Sequence, residues 1–160
     1  MVDNRNNKQA FSFTQVDTII TTWMAEHSIL LLRISIGIVF IWFGALKFSP
    51  GLSPAENLIK ESIEFLPMNI FIPVLALWEV VIGIGFLTGK FMRFTILILF
   101  LHMLGAASPI VINPGAVWQT FPYALTLEGQ YIFKNLVVIS GALVIGATVR
   151  GGNLSANPTE

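Results

Sequence analysis

Residues 77–87 read Leu77-Trp78-Glu79-Val80-Val81-Ile82-Gly83-Ile84-Gly85-Phe86-Leu87. One carboxylate stands in an otherwise apolar run. With its flanks from Asn69 to Thr88, the segment has about the 20 residues that a helix needs to cross the hydrocarbon core of a bilayer. The rest of the 160-residue chain agrees with a home in lipid. Hydrophobic residues make up 54% of it and charged residues only 11%, where a soluble domain carries about 25%. Mean hydropathy is +0.76. The chain is short of the polar surface it would need in water, and its length fits one domain.

Working outward from Glu79, three further spans are expected. The first runs from about 28 to 48 and reads SILLLRISIGIVFIWFGALKF. The second is the one quoted, about 69–88. Gly89-Lys90 forms a tight turn into a third span of about 91–112, which Ser108-Pro109 kinks near its far end. The fourth covers about 129–149. Before the first span, Phe13, Val16, Ile20, Trp23 and Met24 recur at helical spacing with Asp17, Thr18, Thr21 and Thr22 opposite. That pattern predicts an amphipathic helix lying in the interface, with Trp23 at headgroup level. Between spans one and two, Ser53-Pro54-Ala55-Glu56 reads as a capping box with proline at the first helical position. It opens a short helix on the outer face, with an apolar stripe of Leu58, Ile59, Ile63 and Leu66 that Pro67 ends. Residues 113–126 carry Pro114, Trp118, Phe121, Pro122 and Tyr123 and read as an interfacial loop with aromatic anchors. Polar, flexible tails are expected at 1–12 and 150–160. The expected fold is an all-α membrane protein, a four-transmembrane-helix up-down bundle with an N-terminal amphipathic interfacial helix and a short outer-face helix. Gly37 with Gly44, Gly85 with Gly89, and Ala142 with Gly146 mark close helix approaches.

Charge sets the expected orientation. Arg5, Lys8, Lys90, Arg93 and Arg150 fall on the side of the termini, and only Lys60 on the other, with Lys47 at a border. The positive-inside rule then puts both termini in the cytoplasm. Glu56, Glu61 and Glu64 fall outside. The apolar first run follows a mixed polar segment and has no cleavage signature, so it reads as a retained span.

Several functions are disfavoured at once. The formal net charge is zero, so no basic surface points to nucleic acid. With no cysteine there is no disulfide, thiolate nucleophile or iron–sulfur ligand. No hydrolase, phosphate-loop or zinc-protease motif is present, and Gly83-Ile84-Gly85 lies inside a span, where it cannot be a dinucleotide turn. No catalytic residue is assigned, and the chain is not expected to be an enzyme.

What remains is a set of polar residues at membrane depth. Glu79 and His102 fall near the midplane. Arg33 lies about 7 Å in from the side of the termini, at 1.5 Å per residue. Lys134-Asn135 lies about a turn and a half below the other end of span four, with Tyr131 on the same stripe. An unpaired charge at the bilayer centre costs at least ~3 kcal/mol. These groups must therefore face the interior and pair. The expected arrangement is an Arg33–Glu79–Lys134 column, with Asn135, Trp78, Tyr131 and His102 adding polar contacts and Lys47 and Glu128 as entrance candidates. Two readings stay open: an ion-pair lock that fixes helix register, and a polar pocket for a small polar ligand, a quinone head group or a proton. A metal site from His102 and Glu79 has too few ligands, because the second histidine, His27, sits at a membrane border.

Two motifs carry a family resemblance. Leu32-Arg33-Ile34, Gly37-Ile38-Val39-Phe40 and Trp42-Phe43-Gly44-Ala45-Leu46-Lys47-Phe48 resemble the first span of the DoxX-like superfamily of small four-helix membrane proteins. Glu128-Gly129-Gln130-Tyr131-Ile132-Phe133-Lys134-Asn135-Leu136, together with Trp78-Glu79, Gly83 and Leu87-Thr88-Gly89, is similar to the YkgB/DUF417 branch. The resemblance implies a bacterial inner-membrane protein with a role in oxidative or reactive-chlorine stress. Through a thiosulfate–quinone oxidoreductase subunit of the wider superfamily, it makes quinone the candidate cofactor. On the family pattern, Arg33, Lys47, Glu79, Glu128, Lys134 and Asn135 are the positions that carry over. Alternative expectations are a quinone-linked redox subunit, a small-solute or proton transporter, and a structural or assembly partner without a ligand. The partners expected are the lipid bilayer, a second copy of the chain or a membrane redox protein.

Overall fold

The computed structural model describes residues 4–53, 55–63, 66–152 and 154, with side chains from residue 13 onward. Pro54 and Glu64, the side chains of Arg5 and Lys8, and residues 1–3, 153 and 155–160 of the expected tails lie outside the described residues, while α1 already begins at Asn4, inside the expected N-terminal tail.

Four helical stretches are long and apolar enough to cross a membrane: Phe13–Leu46, Met68–Thr88, Met92–Ile112 and Leu127–Thr148. They belong to α1 (Asn4–Leu46), α3 (Met68–Thr88), α4 (Met92–Ala107) with α5 (Pro109–Ile112), and α7 (Leu127–Phe133) with α8 (Asn135–Thr148). Between the spans lie α2 (Glu56–Ser62), α6 (Pro114–Val117) and a two-stranded hairpin, β1 (Trp118–Thr120) with β2 (Ala124–Leu125). The architecture is an all-α membrane bundle with this one small hairpin.

Where a separate interfacial helix is expected before the first span, one continuous helix of 43 residues stands. The reason is local. No glycine or proline occurs from Asn4 until Gly37, so nothing interrupts the ladder. Thr18 and Thr21 do not break it, because their hydroxyls donate back to the Thr14 and Asp17 carbonyls at 2.8 and 2.9 Å. The 34 residues from Phe13 to Leu46 extend about 51 Å at 1.5 Å each, well beyond a hydrocarbon core of about 30 Å. Trp23 stacks on His27 within this extension, with ring centroids 4.9 Å apart.

The other departures also have local causes. The expected capping box does not form: α2 begins at Glu56, and no side chain caps it. The Glu56 carboxylate instead accepts from the Gly51 N–H at 2.6 Å and from Lys60 at 2.6 Å. Gly51 has φ +79°, which turns its amide toward the helix start. Span three breaks its hydrogen-bond ladder at Pro109, as its missing N–H requires. Span four is divided at Lys134, where the turn tightens (ψ −16°) between α7 and α8. The aromatic loop is folded rather than irregular. Thr126 caps α7 by accepting from the Gly129 N–H at 3.0 Å, and its hydroxyl donates to the Ala116 carbonyl at 2.6 Å. Trp118 packs edge-on against Phe121 and Phe133.

The core is built where α1, α3, α4 and α8 meet, from Ile36, Phe40, Ile82, Phe86, Leu99, Met103, Ala142 and Ile145. A smaller cluster of Leu58, Val117 and Ile132 closes the loop end. Large apolar side chains such as Ile38, Trp42, Ile70, Leu97 and Leu101 stay exposed on the bundle surface. In water such a girdle would be a liability; in a bilayer it is the solvated face.

Candidate functional site

The site starts from a glycine seam. α1 and α3 run antiparallel and pack more intimately than any other pair. A Cβ on Gly83 would lie 2.6 Å from Ile41 Cγ1 and 2.7 Å from the Gly37 carbonyl oxygen. One on Gly44 would lie 3.0 Å from Ala76 O, Glu79 Cβ and Val80 Cγ2. Neither contact leaves room for a side chain, so the backbones touch there. This contact fixes the register. Gly37 stands beside Gly83 and Leu87, and Gly44 beside Ala76 and Glu79.

That register brings Lys47 to Glu79. Lys47 follows the last residue of α1 and folds back along it, with Nζ 3.4 Å from the Phe43 carbonyl and 2.6 Å from Glu79 Oε2. On the other side, His102 of α4 places Nε2 3.2 Å from Glu79 Oε1. All three side chains are at most 9% exposed. An ionised carboxylate only accepts, so the histidine nitrogen facing it carries the hydrogen. The other ring nitrogen, Nδ1, is buried and has no hydrogen-bond partner. Phe40 meets the imidazole edge-on at 5.8 Å, and Trp78 stands 6.5 Å away, tied by its Nε1–H to the Ile98 carbonyl at 3.1 Å. Ala76, Ile82 and Leu99, each one turn from a member of the triad, are fully buried. The site is thus a Lys–Glu–His chain held in a buried, aromatic-edged core.

The expected Arg33–Glu79–Lys134 column is not what the helices form. Arg33 lies beside Gly89, where a Cβ would sit 2.5 Å from its Nη1. Ten residues of α3 separate Gly89 from Glu79, about 15 Å along the axis, which is beyond an arginine's reach. Lys134 instead sets Nζ 3.5 Å from the centroid of the Tyr131 ring and 5.9 Å from that of Phe43. This cation–π contact replaces a carboxylate partner. Asn135 opens α8, and Glu128 lies in the first turn of α7. Glu79, His102 and Trp78 are brought together; Tyr131 and Lys134 form a second pair beside Phe43; Arg33 stands apart. Lys47, expected at an entrance, is the direct partner of the central acid. Pairing Gly37 with Gly83, and Gly44 with Ala76 and Glu79, sets Lys47, three residues past Gly44, within reach of Glu79.

Among the described residues, no three histidine or acidic side chains converge as metal ligands do. A profile of the DoxX family matches residues 28–113. No curated protein and no solved structure matches the chain. The matched segment contains Lys47, Glu79, His102 and the whole glycine seam, and it leaves out Glu128, Tyr131, Lys134 and Asn135. It spans more than half the sequence, and with its four apolar spans the chain belongs to the DoxX family of membrane proteins.

Proposed function

We propose that this is a bacterial inner-membrane protein, with both termini in the cytoplasm, that binds the head group of a small polar, quinone-like molecule at Lys47–Glu79–His102. The observation that carries the ligand is the free ring nitrogen of His102. A buried polar atom without a partner costs about 1–3 kcal/mol, and an occupant would relieve it. Nδ1 can accept from a quinol hydroxyl, or donate to a quinone carbonyl once the ring is protonated. Phe40 and Trp78 give the apolar walls that such a ring requires. The orientation rests on Arg5, Lys8, Lys90, Arg93 and Arg150 at one end against Lys60 at the other. On the motif Glu128–Leu136 we assign the chain to the YkgB/DUF417 branch, and with it to resistance to oxidative or reactive-chlorine stress.

The test uses His102→Gln. Glutamine keeps a donor where Nε2 stands and removes the free nitrogen. The wild-type protein in mild detergent should be stabilised by a short-chain quinone, and its tryptophan fluorescence quenched, while His102→Gln folds but loses both responses. A wild-type protein that shows neither response refutes the ligand.

A second reading is favoured by the Lys47–Glu79 pair itself. Its side chains are 5% and 9% exposed and meet at 2.6 Å. Such a pair can serve only to lock helix register. In that case the quinone experiment is blank, and replacing both residues together restores the stability lost by replacing one.

A further inference from the structure

Arg33 makes no hydrogen bond and no ion pair with any described residue, and its Nε is buried without a partner. Its side chain is half-buried; an arginine carries five N–H donors and cannot lose its charge, so a guanidinium without a protein partner in the wall of a membrane bundle favours an anion. No carboxylate of the bundle supplies one. Glu79 is about 15 Å deeper, and Glu26, the nearest acid along α1, is seven residues and about 10 Å further out.

The surroundings add positive charge. Gly89, at φ +70°, ends α3 and lets the guanidinium lie against the turn backbone. Lys90 follows it, and Arg93 is the second residue of α4, both exposed. α4 begins after Phe91 in the left-handed region (φ 53°) with no side-chain cap and no acid in its first turn. The amides of Met92, Arg93 and Phe94 find no carbonyl in the preceding turn. Helix N-termini favour anions and repel cations, yet this one is flanked by cations alone.

We propose that Arg33, Lys90, Arg93 and the first turn of α4 form a site for a phosphate group, that of an anionic phospholipid at the membrane face or free phosphate. The phosphate accepts from the guanidinium and from the free amides, and the two exposed cations balance its charge. The site is independent of the Lys47–Glu79–His102 centre and of any ligand there.

The full chain, purified in neutral detergent, is titrated separately with phosphatidylglycerol, phosphatidylcholine and inorganic phosphate. Bound lipid is counted by native mass spectrometry, and the unfolding midpoint is followed. Phosphatidylglycerol should bind saturably and raise the midpoint, while phosphatidylcholine does neither. A shift with inorganic phosphate as well assigns the site to the phosphate group itself; no shift with it assigns the site to the lipid. Arg33→Gln should abolish the retained lipid. Lys90→Gln and Arg93→Gln, both on exposed positions that leave the fold intact, should each weaken binding roughly fivefold, and Lys60→Gln at the opposite end should change nothing. Equal binding of the two lipids, or wild-type binding by the Lys90→Gln/Arg93→Gln double variant, overturns the proposal.

Discussion

Replacing Lys47 by methionine isolates the central pair. At 2.6 Å, and with an effective dielectric constant of about 20, the gross attraction between the charges is ~6 kcal/mol. The substitution removes that attraction, but Glu79 keeps His102 at 3.2 Å. Breaking a buried pair from one side costs about 3–5 kcal/mol, and the remaining histidine contact sets the expectation for Lys47→Met at the lower end, about 3 kcal/mol. Glu79→Gln should cost less, about 1–2 kcal/mol. Lys47 follows the end of α1, keeps the Phe43 carbonyl, and can swing its ammonium toward water. The double variant should cost about 1–2 kcal/mol, so that the coupling between the two positions is about 3 kcal/mol. The assay is reversible unfolding in mixed micelles at pH 7, followed by tryptophan fluorescence, for the wild type, both single variants and the double. Additivity within about 0.5 kcal/mol would refute the pairing. The same cycle run with Arg33→Met or Lys134→Met in place of Lys47→Met should show no coupling of that size. A coupling there would restore the Arg–Glu–Lys column that the helix register excludes.

Three further outcomes follow from the packing. Gly83→Ala should destabilise by about 1–3 kcal/mol, because its Cβ would meet Ile41 and the Gly37 carbonyl, whereas Gly105→Ala has nothing within 4 Å and should be neutral or gain up to about 1 kcal/mol from helix propensity; the same unfolding assay checks both. Thr126→Ala removes the cap of α7 and should cost about 1 kcal/mol, with faster amide exchange confined to residues 126–130. Lys60 and the Gly51 amide hold the Glu56 carboxyl below its ordinary value of 4.5. A lowered carboxylate contributes stability that is present above that ordinary value and is lost as pH falls through the folded one. Amide exchange across 51–63 should therefore be unchanged from pH 7 to pH 5 and rise only as the pH falls below the ordinary 4.5, and Glu56→Gln should flatten that rise.

The triad also bears on how such a bundle tolerates charge. A lysine at the end of one helix, an acid at mid-helix on the next and a histidine on the third satisfy one another pairwise. The two other basic residues at membrane depth are handled differently. Lys134 is placed over an aromatic ring, and Arg33 is left for an outside partner. Three cations of similar prominence in the sequence thus meet three different environments.

The sequence by itself determined that the chain lives in a membrane and crosses it four times, because length and apolarity of a run are local properties that lipid reads directly. It also determined which residues had to be accounted for, since any ionisable group inside such a run is anomalous wherever it sits. The continuity of α1 was missed, because the amphipathic spacing of 13–24 reads locally as an interfacial helix, although no glycine or proline before Gly37 interrupts the ladder. The pairing of those ionisable groups was decided only in the tertiary structure. Glu79 could meet Arg33, Lys47 or Lys134 according to how far α1 slides along α3 and which helix flanks it. Depth estimated from the ends of the spans gave each residue a height but no partner. The slide is set by backbone contact at Gly37, Gly44 and Gly83, where the missing side chains let the helices close at one register. That contact delivers Lys47 to Glu79 and carries Arg33 out of its reach.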